Sequence, residues 1–517
     1  MRRIWLLSRE MEGWAEAGGI KDVVRDQAVA FARLGWETNV VLPLYGFLRP
    51  KVFAQAALLW RGSSQHPAFD ENPIEVWTLH QAEMTLHFVR IPSFEDKDGI
   101  YTYSSEDADP QAGKVKGTGY LDTFKMNLEY QWAITDYWFA NQIEPQFVLG
   151  HDGHAAFLPA IARTHPAYRG HFLSTKFSVL IHNAGLGYRQ EMPDSPFHRE
   201  LLHLPLPVQK QCLLESWLDP MVSASHHASL ATVSVNYALE LTSGKNDHWS
   251  GTFGRFLREN RVPLKGINNG IGMDDKDPRK QLQPGFPPFD PSTGDWKGKT
   301  LCRSLLRERI LLTPSLIHGR ISNWNKTLYM NQGRLTGQKG IAALCDLIEK
   351  ALTEQPDAIF IVMAQGERKF EERLLWLARN HIEKGRMLFI NKYEDGMARL
   401  LFAAADFLVI PSEYEPCGLT DLKAQLMGTL PIVHRVGGLV KVLDGVTGFS
   451  YSRHTRPGLW GVFLKTLELQ RSNRTQLDHM RRTAFASVLE NSQWTRILEE
   501  HYIPWLTQSP AFPIVAQ

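Results

Sequence analysis

The residues that decide the fold open the chain: RIWLL at 3–7, AGG at 17–19, DVVRDQAVAFARL at 22–34 and TNVVLP at 38–43. The first and last of these segments are typical of buried strands, and the segment at 22–34 places apolar residues at helical spacing. The glycines between strand and helix, and Gly35 after the helix, indicate turns. A strand, a helix and a second strand in this order predict a βαβ unit, the building block of a parallel sheet covered by helices.

The strand pattern recurs further along the chain. Apolar strands predicted at 147–149 and 177–181 are followed by His151-Asp152-Gly153-His154 and by His182-Asn183. Polar residues in these positions are expected where the carboxyl edge of a parallel sheet carries a binding site.

The second half of the chain repeats this alternation. A loop-rich stretch at about 274–322 comes first, because its prolines interrupt helix and strand alike. Further strands are predicted at 326–330, 358–362, 387–390, 407–410 and 431–433. We therefore expect an α/β protein of two Rossmann-like, doubly wound domains that face a cleft, the usual place for a ligand. The predicted domains span 1–285 and 286–490, followed by a C-terminal helix within 491–517.

Composition excludes several classes of function. The chain has 517 residues, of which 43 % are hydrophobic, enough to bury compact cores and unlike a disordered protein. Lys and Arg total 57 against 55 Asp and Glu, so no overall field attracts nucleic acid or an anionic membrane. Four scattered cysteines and a short apolar opening predict a reduced, cytoplasmic protein without a signal peptide. No apolar run is long enough to span a bilayer.

Glu16-Ala17-Gly18-Gly19-Ile20 lies between the first predicted strand and helix. Paired glycines there let a phosphate approach backbone N–H groups at the start of the helix. The alternative is a plain tight turn, because the longer G-x-G-x-x-G pattern is absent.

RLTGQKG at 334–340 directly follows a predicted strand. Its two cations, Arg334 and Lys339, fit a clamp on a diphosphate, with the arginine binding in bidentate fashion. The alternative is a solvated helix start with two surface cations. The segment lacks the G-K-[ST] ending of a Walker loop.

PSEYEPCGLTD at 411–421 follows the strand predicted at 407–410. The Glu415 carboxylate can accept hydrogen bonds from sugar hydroxyls, and the backbone N–H groups of Gly418 and Leu419 can face an anion. The alternative for the glutamate is a cap favoured by the helix dipole.

Two further groups carry weaker signals. Gly437-Gly438-Leu439, again between a strand and a helix, has the same phosphate-or-turn alternatives. His151, His154 and His182 suggest zinc, but they lack the helical H-E-x-x-H arrangement, and we expect no metal.

In their order and spacing these motifs resemble the bacterial glycogen synthases and plant starch synthases, nearly from end to end. The match includes VLPLYG at 41–46, HDGH at 151–154 and RLTGQKG at 334–340. Its most specific segment is PSEYEPCGLT at 411–420, followed by GTLPIV at 428–433 and GGL at 437–439. The resemblance implies two Rossmann-like domains in the GT-B arrangement, with a C-terminal helix around Trp494 to Trp505 crossing back onto the first domain. It also implies a retaining transfer of glucose from ADP-glucose or UDP-glucose to the non-reducing end of an α-1,4-glucan.

The resemblance also implies roles for individual residues. Arg334 and Lys339 neutralise the diphosphate leaving group, Glu415 holds the glucosyl group, His154 contacts the sugar, and Tyr393 stacks on the adenine. Further donor contacts are implied for Gly18, Gly19, Cys417, Gly418, Leu419, Thr420, Gly437 and Gly438, and a contact with acceptor or sugar for Asn183. The implied partners are a sugar nucleotide and an α-glucan, with no metal or other cofactor.

The chain departs from the family pattern at a few positions. Glu16 stands where the family has the lysine of K-x-G-G-L, so that the nearby Lys21 and Asp22 become candidates for a substituted or altered site. Gly153, Gly272 and Asp421 replace the usual Trp, Asp and Gln. These departures favour an altered donor or acceptor over a lost fold. The alternatives are a transferase for another sugar nucleotide or acceptor, and a non-catalytic glucan-binding homologue.

Overall fold

The computed structural model describes residues 2–69, 71, 73–104, 107–168, 170–245, 247–313 and 316–510. Its contacts divide the chain into two units, a first unit of Met1–Asn269 with Trp494–Gln517 and a second unit of Gly270–Gln493. No helix within the described ranges is both long enough and apolar enough to cross a bilayer.

The first unit contains a nine-stranded sheet in the order β12-β11-β7-β6-β1-β2-β5-β4-β3 and a small antiparallel sheet in the order β8-β10-β9. All neighbours in the large sheet are parallel except those of β4. The strands are β1 Arg3–Leu7, β2 Glu37–Pro43, β3 Ala57–Gly62, β4 Ile74–Gln81, β5 Met84–Arg90, β6 Phe147–His151, β7 Lys176–Ile181, β8 Met192–Pro193, β9 Leu213–Leu214, β10 Trp217–Leu218, β11 Ser229–Thr232 and β12 Leu264–Gly266.

The helices of the first unit before the crossing to the second are α1 Ile20–Arg33, α2 Arg49–Gln55, α3 Thr123–Ala140, α4 Leu158–Thr164, α5 Pro196–Leu202, α6 Leu206–Gln211, α7 Pro220–His227, α8 Val235–Ser243, α9 Asp247–Ser250 and α10 Phe253–Glu259. The longest of them, α3, is buried at every residue from Met126 to Trp138. It therefore forms much of the core of this unit.

The second unit contains a seven-stranded sheet in the order β13-β16-β15-β14-β17-β18-β19, in which β13 alone is antiparallel to its neighbour. Its strands are β13 Ile317–Ile321, β14 Thr327–Leu335, β15 Ala358–Gly366, β16 Arg386–Ile390, β17 Phe407–Ile410, β18 Leu430–His434 and β19 Phe449–Tyr451. Its helices are α11 Lys297–Leu312, α12 Ile341–Glu354, α13 Arg368–Asn380, α14 Asp395–Ala404, α15 Thr420–Leu426, α16 Arg456–Ser472 and α17 Arg474–Asn491.

Helices cover both faces of this second sheet. In β14, Leu328 and Met330 belong to one apolar cluster and Tyr329 to another, because successive side chains of a strand point to opposite faces. A strand buried on both faces is a continuous apolar run, which is why the strands of this unit were predictable from sequence. The predicted fold class, two Rossmann-like α/β domains, is confirmed.

The chain returns to the first unit at its C-terminal end. The predicted helix at 494–505 is confirmed as a helical segment, but it is broken into α18 Trp494–Ile497, a π-helical turn at Leu498–Tyr502 and α19 Ile503–Gln508. Pro504 lacks the N–H group that a continuous α-helix would use here. Nζ of Lys176 in β7 donates to the carbonyl oxygen of Thr507 and helps to fix α19.

The stretch predicted as loop at 274–322 is only partly irregular. The prolines at 278–291 are followed by α11, in which Cys302, Leu306 and Ile310 are buried along one face. The contacts divide the chain at 269/270, whereas the sequence pattern placed the first boundary at 285. Ile271, just before Gly272, donates its N–H to the carbonyl oxygen of Ser492 at 2.7 Å and thereby joins the second unit. The boundaries at 285 and 490 stay predictions.

Candidate functional site

The loop after β1 is organised by the buried carboxylate of Glu10. Its Oε2 accepts hydrogen bonds from the backbone N–H of Ala17 at 3.2 Å and of Gly18 at 2.5 Å. Burial raises the pKa of Glu10 even though these hydrogen bonds oppose the shift. A Cβ at Gly18 would lie 3.4 Å from Oε1 of Glu10, an ordinary contact distance, so the available space does not by itself require glycine here. Gly19 directly precedes α1.

Glu16, in place of the family lysine, is paired with Lys21. Nζ of Lys21 donates to Oε2 of Glu16 at 2.9 Å, and the N–H of Gly13 donates to Oε1 at 2.8 Å. Burial opposes ionisation of Glu16, but Lys21 and Gly13 outweigh it and lower the pKa of Glu16. Burial likewise works against the charge of Lys21, but Asp22 in the first turn of α1 and Glu16 outweigh it and raise the pKa of Lys21. The loop thus carries a cation that a carboxylate neutralises.

The end of β6 is joined to the end of β7 by Asp152. Oδ1 of Asp152 accepts hydrogen bonds from the N–H of His182 at 2.6 Å and of Asn183 at 3.3 Å. Burial raises the pKa of Asp152 to about 8, although the two hydrogen bonds favour its charged form. The Asn183 side chain accepts a hydrogen bond from the N–H of Gly185 at 2.8 Å, so that it shapes the following turn.

The His154 ring is buried and neutral. Its Nε2 accepts a hydrogen bond from the backbone N–H of Arg9 at 3.4 Å, which leaves the ring proton on Nδ1. Burial, and then the charge of Arg9, hold the pKa of His154 well below its usual range. His154 therefore has one N–H donor to offer a ligand at neutral pH.

Arg9 is not among the residues that the sequence motifs single out, yet it supports His154. Its guanidinium is fully buried and donates to the hydroxyl of Tyr45 and to Oδ1 of Asn127, each at 3.1 Å, and to the carbonyl oxygen of Ile100. An arginine two residues after the end of an apolar strand is the one signal that the sequence offers for it. These contacts fix the backbone whose N–H orients the His154 ring.

The other two histidines of the predicted group pair with each other. Nδ1 of His151 and Nε2 of His182 are 2.9 Å apart, and their rings are stacked. Burial lowers the pKa of both rings, that of His151 to about 3. Across the described ranges, no group of three or more His, Cys, Asp or Glu side chains converges in a way that could hold a metal ion.

Gly153, where the family has tryptophan, lies against another segment of the first unit. A Cβ at this position would be 2.0 Å from the carbonyl oxygen of Arg189. Arg189 is itself buried and forms an ion pair with Asp219 at 3.1 Å. A side chain at 153 would therefore require the Arg189 segment to move.

Lys339 and Glu415, predicted from separate motifs, are in direct contact in the second unit. Nζ of Lys339 lies 2.8 Å from Oε1 and 2.6 Å from Oε2 of Glu415, and the hydroxyl of Ser412 donates to Oε2 at 2.9 Å. Burial opposes ionisation of Glu415, but Lys339, Ser412 and the nearby Lys441 outweigh it and lower its pKa. Glu415 is thus a charged acceptor held beside a cation.

Backbone contacts bring the loops of this site together. The carbonyl oxygen of Gln338 accepts a hydrogen bond from the N–H of Glu413 at 2.8 Å, and the N–H of Gly438 donates to the carbonyl oxygen of Glu415 at 2.9 Å. A Cβ at Gly438 would lie 1.7 Å from the carbonyl oxygen of Cys417, so that only glycine permits this approach. Gly437 precedes it with a φ of +49°, in the left-handed region.

Asp421, where the family has glutamine, is fully buried and paired with Lys441. Its Oδ2 lies 3.0 Å from Nζ of Lys441. The same Nζ donates to the carbonyl oxygens of Cys417 at 2.8 Å, Gly418 at 2.6 Å and Gly438 at 3.0 Å. Burial raises the pKa of Asp421, against the effect of Lys441. No spacing in the sequence links the two residues, so Lys441 could not be predicted from it.

The remaining predicted residues of the second unit lie around these loops. Arg334 is exposed near the end of β14, and Leu419 precedes α15, which begins at Thr420. Tyr393 is half exposed between β16 and α14, and its hydroxyl donates to Oδ1 of Asp395 at 3.1 Å. The predicted residues Gly18, Gly19, Lys21, His154 and Asn183 belong to the first unit.

Comparisons with known proteins agree with the fold and the motifs. Residues 3–254 match the family model of the starch synthase catalytic domain, and residues 327–459 match that of the glycosyl transferases group 1. The glycogen synthase of Aeromonas hydrophila is 26 % identical over 505 residues, which cover 93 % of this chain and 94 % of that protein.

Solved structures show the same fold. The catalytic domain of starch synthase IV from Arabidopsis thaliana, bound to ADP and acarbose, matches with a TM-score of 0.75 and 18 % identity, covering 96 % of this chain and 99 % of that one. Sucrose-phosphate synthase from Thermosynechococcus elongatus matches with a TM-score of 0.57 and 14 % identity, covering 98 % and 99 %. The matches to both family models and the alignment of relatives over nearly the whole length identify the chain as a glycosyltransferase that is similar to the glycogen and starch synthases.

Proposed function

We propose that this enzyme is a retaining glucosyltransferase that moves glucose from ADP-glucose, or from UDP-glucose, to the non-reducing end of an α-1,4-glucan. The observation that carries the proposal is the contact between Lys339 and Glu415, a cation and a sugar-hydroxyl acceptor held at 2.6 and 2.8 Å. A nucleotide sugar requires this combination, because its leaving group is anionic and its sugar is rich in hydroxyls. Relatives named glycogen synthases, which align with nearly the whole chain, support the same activity.

In this proposal the donor takes over the contact between Lys339 and Glu415. The ammonium group of Lys339 turns to the diphosphate together with Arg334, and the Glu415 carboxylate accepts hydrogen bonds from the glucosyl group. Preorganised cations at the leaving group are worth several kcal/mol of transition-state stabilisation. The two cations would supply the charge that a metal ion gives other transferases, so we propose no metal cofactor.

Retention of configuration is assigned to attack on the same face from which the leaving group departs. The bond from C1 to the phosphate oxygen breaks, the bond from C1 to the acceptor oxygen forms, and the acceptor proton passes to the departing phosphate. A double displacement would need a free carboxylate nucleophile. In this proposal the Glu415 carboxylate is occupied by hydroxyls of the glucosyl group and by the hydroxyl of Ser412, so it is not assigned as a nucleophile and we propose the single-face route.

Residues of the first unit are assigned to the sugar and to the donor. His154 is neutral and carries its proton on Nδ1, so we expect it to donate to a glucose hydroxyl. Asn183 is assigned to the acceptor or sugar. Lys21 is assigned to the diphosphate with Gly18 and Gly19, in place of the missing family lysine.

We assign Tyr393 to stacking on the nucleotide base of the donor. Its ring is half exposed, as a stacking platform must be before the ligand binds. Adenine is the base that the resemblance favours, and uracil is the alternative. Around the donor, Cys417, Gly418, Leu419, Thr420, Gly437 and Gly438 are the remaining proposed contacts.

One observation favours a second candidate. Glu16 stands where the family has the lysine of the glycine loop, and it neutralises Lys21, the proposed substitute. The second candidate is therefore a transferase whose donor, another sugar nucleotide, needs less positive charge on this loop, or a non-catalytic glucan-binding protein with the same fold.

The compartment proposed is the cytoplasm. All four cysteines are free thiols, and Cys212, Cys302 and Cys345 are buried. Burial raises the pKa of each of these three thiols to about 12, so they are unreactive. A chain that depends on unpaired buried thiols suits a reducing environment.

The test is nucleotide release from ADP-glucose and, separately, from UDP-glucose, with and without glycogen. The proposal expects glycogen-dependent release with one donor, lost in Glu415→Ala and kept in Glu372→Ala, whose exposed carboxylate pairs with Arg368 on the surface of α13. Circular dichroism confirms that each variant is folded. Release with neither donor from folded protein would replace the proposal by the second candidate.

A further inference from the structure

We propose that Lys441 is a positioning residue of the donor site, which aims the backbone N–H groups of Gly418 and Leu419 at the diphosphate, and that Asp421 balances its charge. This inference rests on the proposed function, because it concerns how the same site holds a nucleoside diphosphate sugar. It assigns a role to two residues that the family motifs do not explain.

The geometry of the carbonyl contacts carries the first step. Nζ of Lys441 donates to the carbonyl oxygens of Cys417, Gly418 and Gly438 at 2.8, 2.6 and 3.0 Å. With Oδ2 of Asp421 at 3.0 Å, four oxygens surround an ammonium group that has three N–H donors. Lys441 is therefore held as a cross-link between the loops at 415–419 and 437–439.

Peptide geometry turns this cross-link into a direction for two amides. In a trans peptide the C=O and the following N–H point in opposite directions, and no described peptide bond is cis. The carbonyls of Cys417 and Gly418 point at Lys441, so the N–H groups of Gly418 and Leu419 point away from it. Gly418 reaches this arrangement with a φ of +69°, which favours glycine. Two adjacent N–H groups aimed the same way suit the oxygens of a phosphate.

Asp421 explains how the cation is tolerated. The side chain of Lys441 is 18 % exposed and that of Asp421 is fully buried, with 3.0 Å between their charged atoms. If the ammonium group of Lys441 contacted only neutral carbonyls, it would keep its full positive charge close to Glu415. The carboxylate of Asp421 neutralises much of that charge, while the carbonyl contacts of Lys441 remain. Asp421 in place of glutamine and the presence of Lys441 thus belong to one feature.

The predicted consequence is specific to donor binding. Without Lys441 the two carbonyls lose their common partner, the peptide planes can rotate, and the amides no longer present a fixed anion site. We expect a weaker complex with ADP and a higher KM for the donor, with a smaller change in kcat, because Lys339 and Glu415 still act on the reacting groups.

The experiment compares Lys441→Met, Asp421→Asn and the double variant with wild type. ADP and UDP binding is measured by titration calorimetry, donor KM and kcat by nucleotide release, and amide exchange at 417–419 by mass spectrometry. Lys465→Met is the matched control, because Lys465 forms a 3.5 Å ion pair with Asp444 in the same unit and is half exposed. The double variant also removes the buried carboxylate that would be left unpaired, so the test stands if Lys441→Met alone is too unstable.

The expected result is an increase of at least tenfold in the ADP dissociation constant for Lys441→Met, with faster exchange at 417–419. The double variant regains thermal stability but keeps the weak binding. Recovery of wild-type binding in the double variant would overturn the proposal, because Lys441 would then only neutralise Asp421. Unchanged binding in Lys441→Met would overturn it as well and leave the proposed function intact. A wild-type protein that binds neither ADP nor UDP would instead refute the proposed function, and this inference with it.

Discussion

Replacing Glu16 by glutamine tests whether the charge of the first-unit loop limits donor binding. The substitution removes one negative charge and keeps an oxygen that can accept the hydrogen bond from Gly13. In the structure Glu16 is 44 % exposed and lies 2.9 Å from Lys21. The variant leaves Lys21 without its neutralising partner, so the loop gains a net positive charge.

The size of the effect follows from Coulomb's law. For a phosphate charge about 6 Å from the removed carboxylate and an effective dielectric constant of about 40, the energy is about 1.4 kcal/mol, or about tenfold in affinity. We expect the KM for ADP-glucose to fall about tenfold in Glu16→Gln at low salt, with little change in kcat. In 0.5 M salt the gain should shrink, because the screening length is then only a few ångströms.

The free energy of unfolding should change little in Glu16→Gln, because a half-exposed ion pair contributes at most about 1 kcal/mol. The matched control is Glu37→Gln: Glu37 is also 44 % exposed and pairs with Arg3 at 2.8 Å. Those two residues lie at the amino ends of β1 and β2, at the opposite edge of the sheet from the loop after β1.

The assay is nucleotide release with glycogen as acceptor, at two salt concentrations, for wild type and both variants. Equal KM values for Glu16→Gln and Glu37→Gln would refute the assignment of Lys21 to the diphosphate. A rise in KM for Glu16→Gln would show instead that the carboxylate contributes to donor binding.

Three other outcomes are expected. Lys339→Met should lower kcat/KM by about two to three orders of magnitude. Because Lys339 holds the pKa of Glu415 below 4.5 in wild type, the acid limb of the pH–rate profile should lie at higher pH in the variant, and an unmoved limb would contradict this role of Lys339. Ionised Glu415 stabilises the fold above pH 4.5, and this stabilisation is lost as the pH falls through the lowered pKa of Glu415 in the folded protein. Acid unfolding, followed by circular dichroism, should therefore begin at a lower pH in wild type than in Lys339→Met. Gly438→Ala and Gly153→Trp should each cost about 1–3 kcal/mol or more, seen as a lower Tm, because the new Cβ would lie 1.7 or 2.0 Å from a carbonyl oxygen; an unchanged Tm would show that these backbones yield easily.

The parts of the fold that could be predicted are those with a strong local pattern. The strand at 407–410 was predicted with the bounds that the structure has, and α1 within a few residues, because a buried parallel strand and an amphipathic helix each carry their own periodicity. By contrast, α3 is buried all round and shows no one-sided pattern, and α11 follows a run of prolines that indicated a loop. The antiparallel strand β4 also depends on pairing partners that local periodicity does not identify.

In the candidate site, too, some contacts could be predicted from the sequence and others could not. The closeness of Lys339 and Glu415 follows from features that the sequence shows, because both come after predicted parallel strands of one sheet and such strands share a carboxyl edge. The ion pairs Glu16–Lys21 and Asp421–Lys441 do not, since each joins residues whose spacing matches no helix or strand period. At both positions the sequence shows only a departure from the family pattern.

By itself the sequence determined the α/β class and the succession of strands and turns, and it supplied the candidate residues for the chemistry. Periodicity, glycine turns and motifs are properties of neighbouring residues, and they survive without knowledge of the rest of the chain. Only the tertiary structure decided how the unexpected charges are balanced, which glycines admit a neighbouring backbone, and that Arg9 supports His154. These depend on the path of the chain through space, because burial and Coulomb energy act between atoms that are close in distance, whatever their separation in sequence.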